Sequence, residues 1–149
     1  KEIQNIAVKI EPLPIEQTYR IAGKDAPINV IKGMMARTKS TITIILPEIK
    51  ALPAELIEEI SARKRVHILS DIQPEDMEYA QKIKKERPSI QIRTSPGLEI
   101  IGATRDSEEI AIGSINTPEK IELITTTNEE LVKFLYELIT STHAKSRPI

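Results

Sequence analysis

Residues 99–116 read Glu-Ile-Ile-Gly-Ala-Thr-Arg-Asp-Ser-Glu-Glu-Ile-Ala-Ile-Gly-Ser-Ile-Asn. A β-branched run leads into the polar turn Arg105–Ser107, and a second run closes on Gly113-Ser114-Ile115-Asn116. A third run, Lys120–Thr125, follows the turn-rich residues Asn116–Pro118. Three strand signals with no helical period between them predict an antiparallel meander, Leu98–Thr104, Glu109–Ile115 and Lys120–Thr125. Gly102 and Gly113 fall inside these strands, where glycine permits a bulge or the close approach of a neighbouring backbone.

Upstream the rhythm is different. Thr18–Ala22 reads as a short strand, and Asp25 is placed to cap a helix with Pro27 in its first turn and Ile28, Ile31, Met34 and Met35 on one side. Ser40–Leu46 is a buried strand by its β-branched content. Pro53 opens a helix carrying Leu56, Ile57 and Ile60. Arg65–Leu69 is a strand, Pro74–Arg87 a charged helix with Met77, Ala80 and Ile83 inward, and Ser89–Thr94 a strand. Alternation of this kind predicts a parallel sheet covered on both faces, which the meander extends. Asn128 caps a last helix with Leu131, Phe134, Leu135, Leu138 and Ile139 on one face. The expected fold is therefore α/β with a mixed sheet, a parallel β-α-β first half and an antiparallel second half. Residues 1–15 read as a helical linker tail and a Pro-containing connection, 16–142 as one domain, and 143–149 as a loose polar tail. Ile3, Ile6, Ala7 and Ile10 have helical spacing, which suits either a coiled-coil linker or a terminal helix packed on its own domain.

Composition removes several classes of function. The 149 residues suit one domain. With no cysteine, disulfides, thiolate metal sites and cysteine nucleophiles are excluded. A net charge of -1 argues against gripping a phosphate backbone unaided. No run of about 18 apolar residues is present to span a membrane, no signal-peptide pattern opens the chain, and a cytoplasmic location is expected. Aromatic residues are only 3% of the chain, which leaves few platforms for stacking bases or sugars. Heavy use of Ile, Glu and Lys without Cys fits a thermophilic source.

Candidates for chemistry are few. His67 lies inside the strand Arg65–Leu69, where a hydrogen-bonded sheet histidine is the simpler account than a general base. His143 falls in the polar tail. No metal-ligand spacing occurs, and neither metal nor cofactor is expected. Glu55, Glu58 and Glu59 fall on a solvated helix face, and Glu75, Asp76 and Glu78 suit a helix N-terminus. The five glycines form neither G-x-G-x-x-G nor a Walker pattern.

The stretch quoted at the outset resembles the C-terminal motif of the phospholipase D superfamily. In that motif a strand begins His-x-Lys, an Asp follows at the turn, and the next strand ends Gly-Ser-x-Asn. Registered on Gly113–Asn116, the histidine position holds Glu99, the lysine position Ile101 and the aspartate position Asp106. A carboxylate cannot replace imidazole as nucleophile toward an anionic phosphodiester, and isoleucine supplies no positive charge. The family also needs two such motifs, and this chain holds at most one. The degenerate pattern is similar to the effector domain of TrmB-like archaeal transcription regulators. Tyr19–Lys24 before a helix, Ser40–Pro47, and Ile112–Asn116 followed by Pro118 and Glu119 carry the likeness. It implies a non-catalytic, ligand-sensing domain, a homodimer, and DNA contact only through an N-terminal winged helix upstream of Lys1.

Ligands of open α/β sheets bind beyond the carboxyl ends of the parallel strands. That rule selects Glu48, Asp71 and Ser95, with Glu99, Asp106, Ser114 and Asn116 from the meander completing a polar pocket. Turn and cap roles account for the same residue types. The effector is then a small metabolite, a sugar being the class implied by the family. The alternatives are a phosphodiesterase or nuclease-like hydrolase using Glu99, Asp106 and His67, and an interaction module with no ligand.

Overall fold

A computed structural model describes residues 17–51, 64–117 and 120–149, and for 116 and 117 only the backbone. The expected linker over 1–15 and the helix opened by Pro53 lie outside the described residues. One eight-stranded mixed sheet organises the chain, in the order β1-β7-β6-β5-β2-β3-β4-β8. Its strands are β1 (Thr18–Gly23), β2 (Thr41–Leu46), β3 (Arg65–Ser70), β4 (Ile90–Thr94), β5 (Ile100–Arg105), β6 (Glu109–Thr117), β7 (Lys120–Thr126) and β8 (Arg147–Pro148). The described helices are α1 (Ala26–Arg37), α2 (Met77–Glu86) and α3 (Glu129–Ala144). No described helix is long and apolar enough to cross a membrane.

The two-residue period of a strand sorts side chains between the faces. Ile42, Ile44 and Leu46 of β2, Val66 and Ile68 of β3, Ile90 and Ile92 of β4, and Ile101 and Ala103 of β5 pack on α1 and α2. The alternate positions Ile45, Leu69 and Ile110 pack on Val132 and Ile139 of α3. β2, β3 and β4 are parallel, and β5, β6 and β7 form the antiparallel meander. The mixed α/β sheet is as the sequence predicts.

Three local expectations change. β1 is not beside β2; it pairs antiparallel with β7 at the far edge, from Thr18↔Thr126 to Gly23↔Ile121. Each of the four steps from β1 through β7, β6 and β5 to β2 reverses direction, so β1 still runs the same way as β2. Alternation thus set the direction of β1, while α1, which packs over β1, β7, β5 and β2, set its place. On α3 the inward residues are Val132 and Ile139 with Leu135 half-buried, whereas Phe134 and Leu138 point to solvent. The polar tail does not hang loose. α3 runs on to Ala144, β8 pairs with β4, and Arg93 donates to Ser146 Oγ and to its carbonyl at 2.7 Å.

Gly113 is required by its neighbours. A Cβ there would overlap the Glu122 carbonyl oxygen of β7, because the two backbones approach closely just before the β6 bulge between Ile115 and Thr117. Gly113→Ala should lower stability by about 2 kcal/mol through overpacking, read as a drop in the urea midpoint at unchanged slope.

Candidate functional site

The sheet has two ends, and they carry different chemistry. At the carboxyl end of β2 a cavity of about 470 Å3 opens on the α1 face. Its walls are Ile28, Leu46, Leu98, Ile101, Ile115 and Ile121, and Lys24, Asp25, Glu48 and Glu99 are its charged residues. β2 ends at Leu46 because Pro47 follows, and Ile49–Ala51 form a 3-10 turn that swings Glu48 outward. The β2–β5 register runs from Ile42↔Arg105 to Ile45↔Gly102, so the segments beyond it that carry Glu48 and Glu99 both emerge at this end of the sheet, on the cavity. Glu99 and Ile101 share a face by strand alternation, and both meet the cavity.

Lys24 and Asp25 were not anticipated. They follow β1, whose position beside β7 brings its carboxyl end over the cavity. The strand-end rule would have selected them had β1 been counted among the strands that line the site. Asp25 precedes α1 yet makes no side-chain cap; only its carbonyl accepts, from Asn29 N at 2.9 Å. The side chains of Lys24, Asp25, Glu48 and Glu99 are exposed at the rim and make no hydrogen bond or ion pair among the described residues.

The other residues singled out from sequence stand elsewhere. Asp71 accepts from Gly97 N at 3.1 Å and Gln73 Nε2 at 3.0 Å, and so closes the turn after β4. Ser95 N donates to the Ser70 carbonyl at the same turn. Neither lines the cavity. Ser114 pairs with Ile100 and lies on the opposite face, beside Arg20 and Glu122. Asn116 sits in the β6 bulge with its side chain outside the described atoms.

Asp106 is at the opposite end of the sheet. Its carboxylate accepts from the backbone N–H of Lys39 (2.8 Å), Ser40 (2.8 Å) and Thr41 (2.9 Å) and from Ser40 Oγ (3.0 Å). Desolvation opposes its charge, but these donors outweigh it and hold the carboxyl far below the ordinary aspartate range. Asp106 and Ser107 both have positive φ (52° and 56°), a hairpin turn that aspartate tolerates. Glu109 next to the turn receives Arg37 Nη2 at 2.7 Å and Arg105 Nε at 2.8 Å, tying the end of α1 to the same hairpin. Asp106→Ala should cost about 3 kcal/mol, since it leaves several backbone donors without their charged acceptor. Because the folded-state pKa is depressed, this stabilisation is complete above about pH 4 and is lost as pH falls further. Acid titration of the melting temperature in wild type and Asp106→Ala should converge at low pH.

The two histidines lie on the α3 face. His67 and His143 meet edge to face with ring centres 6.1 Å apart, beside Thr41, Thr43, Tyr136 and Thr140. Burial lowers both pKa values; the Gln91 bond partly opposes this at His67, while Arg65 adds to it there and Arg93 adds to it at His143. His67 Nδ1 has no partner among the described residues. The sheet separates this pair from the cavity that holds Glu99. A His neutral in the folded state gains its proton on unfolding, so this contribution is complete above about pH 6.5 and fades as pH falls through the lowered values. The melting temperature should fall between pH 7 and pH 5, and a His67→Gln/His143→Gln double variant should flatten that slope.

No protein-family model matches this sequence, and no curated protein matches it. Among solved structures, TrmBL2, an archaeal chromatin protein with a novel mode of DNA binding, superposes with a TM-score of 0.71 at 12% identity over 99% of this chain. Nuc from Salmonella typhimurium, a phospholipase D family member, gives 0.66 at 11% identity over 89% of this chain and 99% of its own. The fold is phospholipase D-like. NucT from Helicobacter pylori agrees, with a TM-score of 0.63, 13% identity and coverage of 89% of this chain and 100% of its own. The chain spans 60% of the length of TrmBL2. Glu99 and Ile101, the two residues that the sequence resemblance registers on His-x-Lys, both line the cavity.

Proposed function

We propose that this chain is the non-catalytic, ligand-sensing domain of a TrmB-like transcription regulator. One observation carries the reading. The cavity beside Glu99 and Ile101 has no imidazole, and both histidines stand across the sheet from it. Phosphodiester cleavage through a histidine nucleophile needs that imidazole and a cation beside it. Here the motif positions offer a carboxylate and a hydrocarbon, and Asp106 is spent on backbone amides at the other end of the sheet. What remains is an aliphatic cleft with a charged rim, the usual form of a small-molecule site. The likeness to TrmBL2 along 99% of the chain supports the regulator context.

On this reading a small metabolite in the cleft biases one arrangement of a cytoplasmic homodimer, and a winged helix outside this chain reads the DNA. The test is direct. Incubation with bis(p-nitrophenyl) phosphate and with single-stranded DNA should give no turnover above buffer. Turnover abolished by Glu99→Ala or His67→Ala would overturn the proposal in favour of a hydrolase.

A further inference from the structure

We infer that the ligand of this cleft is an aliphatic amine carrying net positive charge, an inference that rests on the sensing reading above. Among the described residues the charged rim holds three carboxylates, Asp25, Glu48 and Glu99, against one ammonium, Lys24. Carboxylates gathered at one rim repel one another. Glu48 and Glu99 both stand exposed on this cavity. No guanidinium or ammonium among the described residues bonds either of them. Asp25 repeats the pattern. It occupies the helix N-terminus without capping it, which leaves its carboxylate free toward the cavity and sets a negative charge where an anion would otherwise bind.

The walls define the rest of the ligand. Ile28, Leu46, Ile101, Ile115 and Ile121 offer only branched aliphatic surface. With no aromatic residue among the described residues that line the cavity, a sugar ring or a base finds no stacking partner there. A phosphate or carboxylate would face the carboxylates with Lys24 as its sole cationic partner among the described residues. A methylene chain against the walls, with an ammonium drawn to Glu48 and Glu99, satisfies both halves of the site through burial and charge-assisted hydrogen bonds.

The experiment is calorimetric titration of the full 149-residue chain with three probes: 1,5-diaminopentane, glutarate of the same carbon count and opposite charge, and maltose. The diamine should bind, weaken with added salt, and raise the melting temperature; glutarate should not bind. A Glu48→Gln/Glu99→Gln double variant should lose about tenfold or more in diamine affinity while melting at or above the wild-type temperature, since neither carboxylate bonds a partner among the described residues. Should maltose bind and the diamine not, the amine assignment is overturned and ligand sensing stands. Diamine binding unaffected by the double variant, equal binding of glutarate, or silence from all three probes also overturns the assignment. Phosphodiester turnover, by contrast, sinks the sensing reading itself.

Discussion

Three consecutive backbone amides, those of Lys39, Ser40 and Thr41, converge on the carboxylate of Asp106 and pin the β5–β6 turn to the start of β2. Strand pairing tolerates no half-steps; a slip of one residue would exchange the faces of every side chain in β5. The anchor therefore sets more than local order. With Asp106 held at the foot of β2, Arg105 pairs with Ile42 and Gly102 with Ile45. Beyond the other end of that ladder Glu48 and Glu99 both border the cavity. The Arg37–Glu109–Arg105 cluster ties α1 to that hairpin and so helps place the roof of the cavity.

Face alternation then divides the chemistry. Odd positions of β5 meet α1, while His67 of β3 sits with Thr43 of β2 on the α3 side. A sheet is an effective partition, since a side chain cannot pass through a hydrogen-bonded ladder. The imidazoles and the cleft lie on opposite faces of that sheet. A phospholipase D-like fold thus carries an aliphatic cleft on one face of its sheet and the imidazole pair on the other.

Several features were legible from residue pattern because they are local. The helical and strand periods of Ala26–Arg37 and Thr41–Leu46 follow from which positions are apolar. Glu48 and Glu99 emerged from the strand-end rule and from the motif, and the cavity joins them. Asp106 was legible as a turn residue but not as an anchor, because its donors lie 65 to 67 positions away in the chain. Phe134 and Leu138 look like core residues by spacing, yet one helix cannot bury a full apolar stripe on a sheet whose outer strands it does not cover. Ile149 is drawn onto β4 by long-range bonds that no local signal foretells.

Composition and periodicity alone determined that this is an α/β protein with a mixed sheet and without thiol chemistry. Those conclusions need only residue identity and near-neighbour geometry. Tertiary structure decided where β1 docks, that Lys24 and Asp25 join the two glutamates, and that Asp71, Ser114 and Asp106 stand apart from them. Such facts depend on which strand edges meet, and edge pairing is set by whole-sheet packing over distances that a window of sequence does not span.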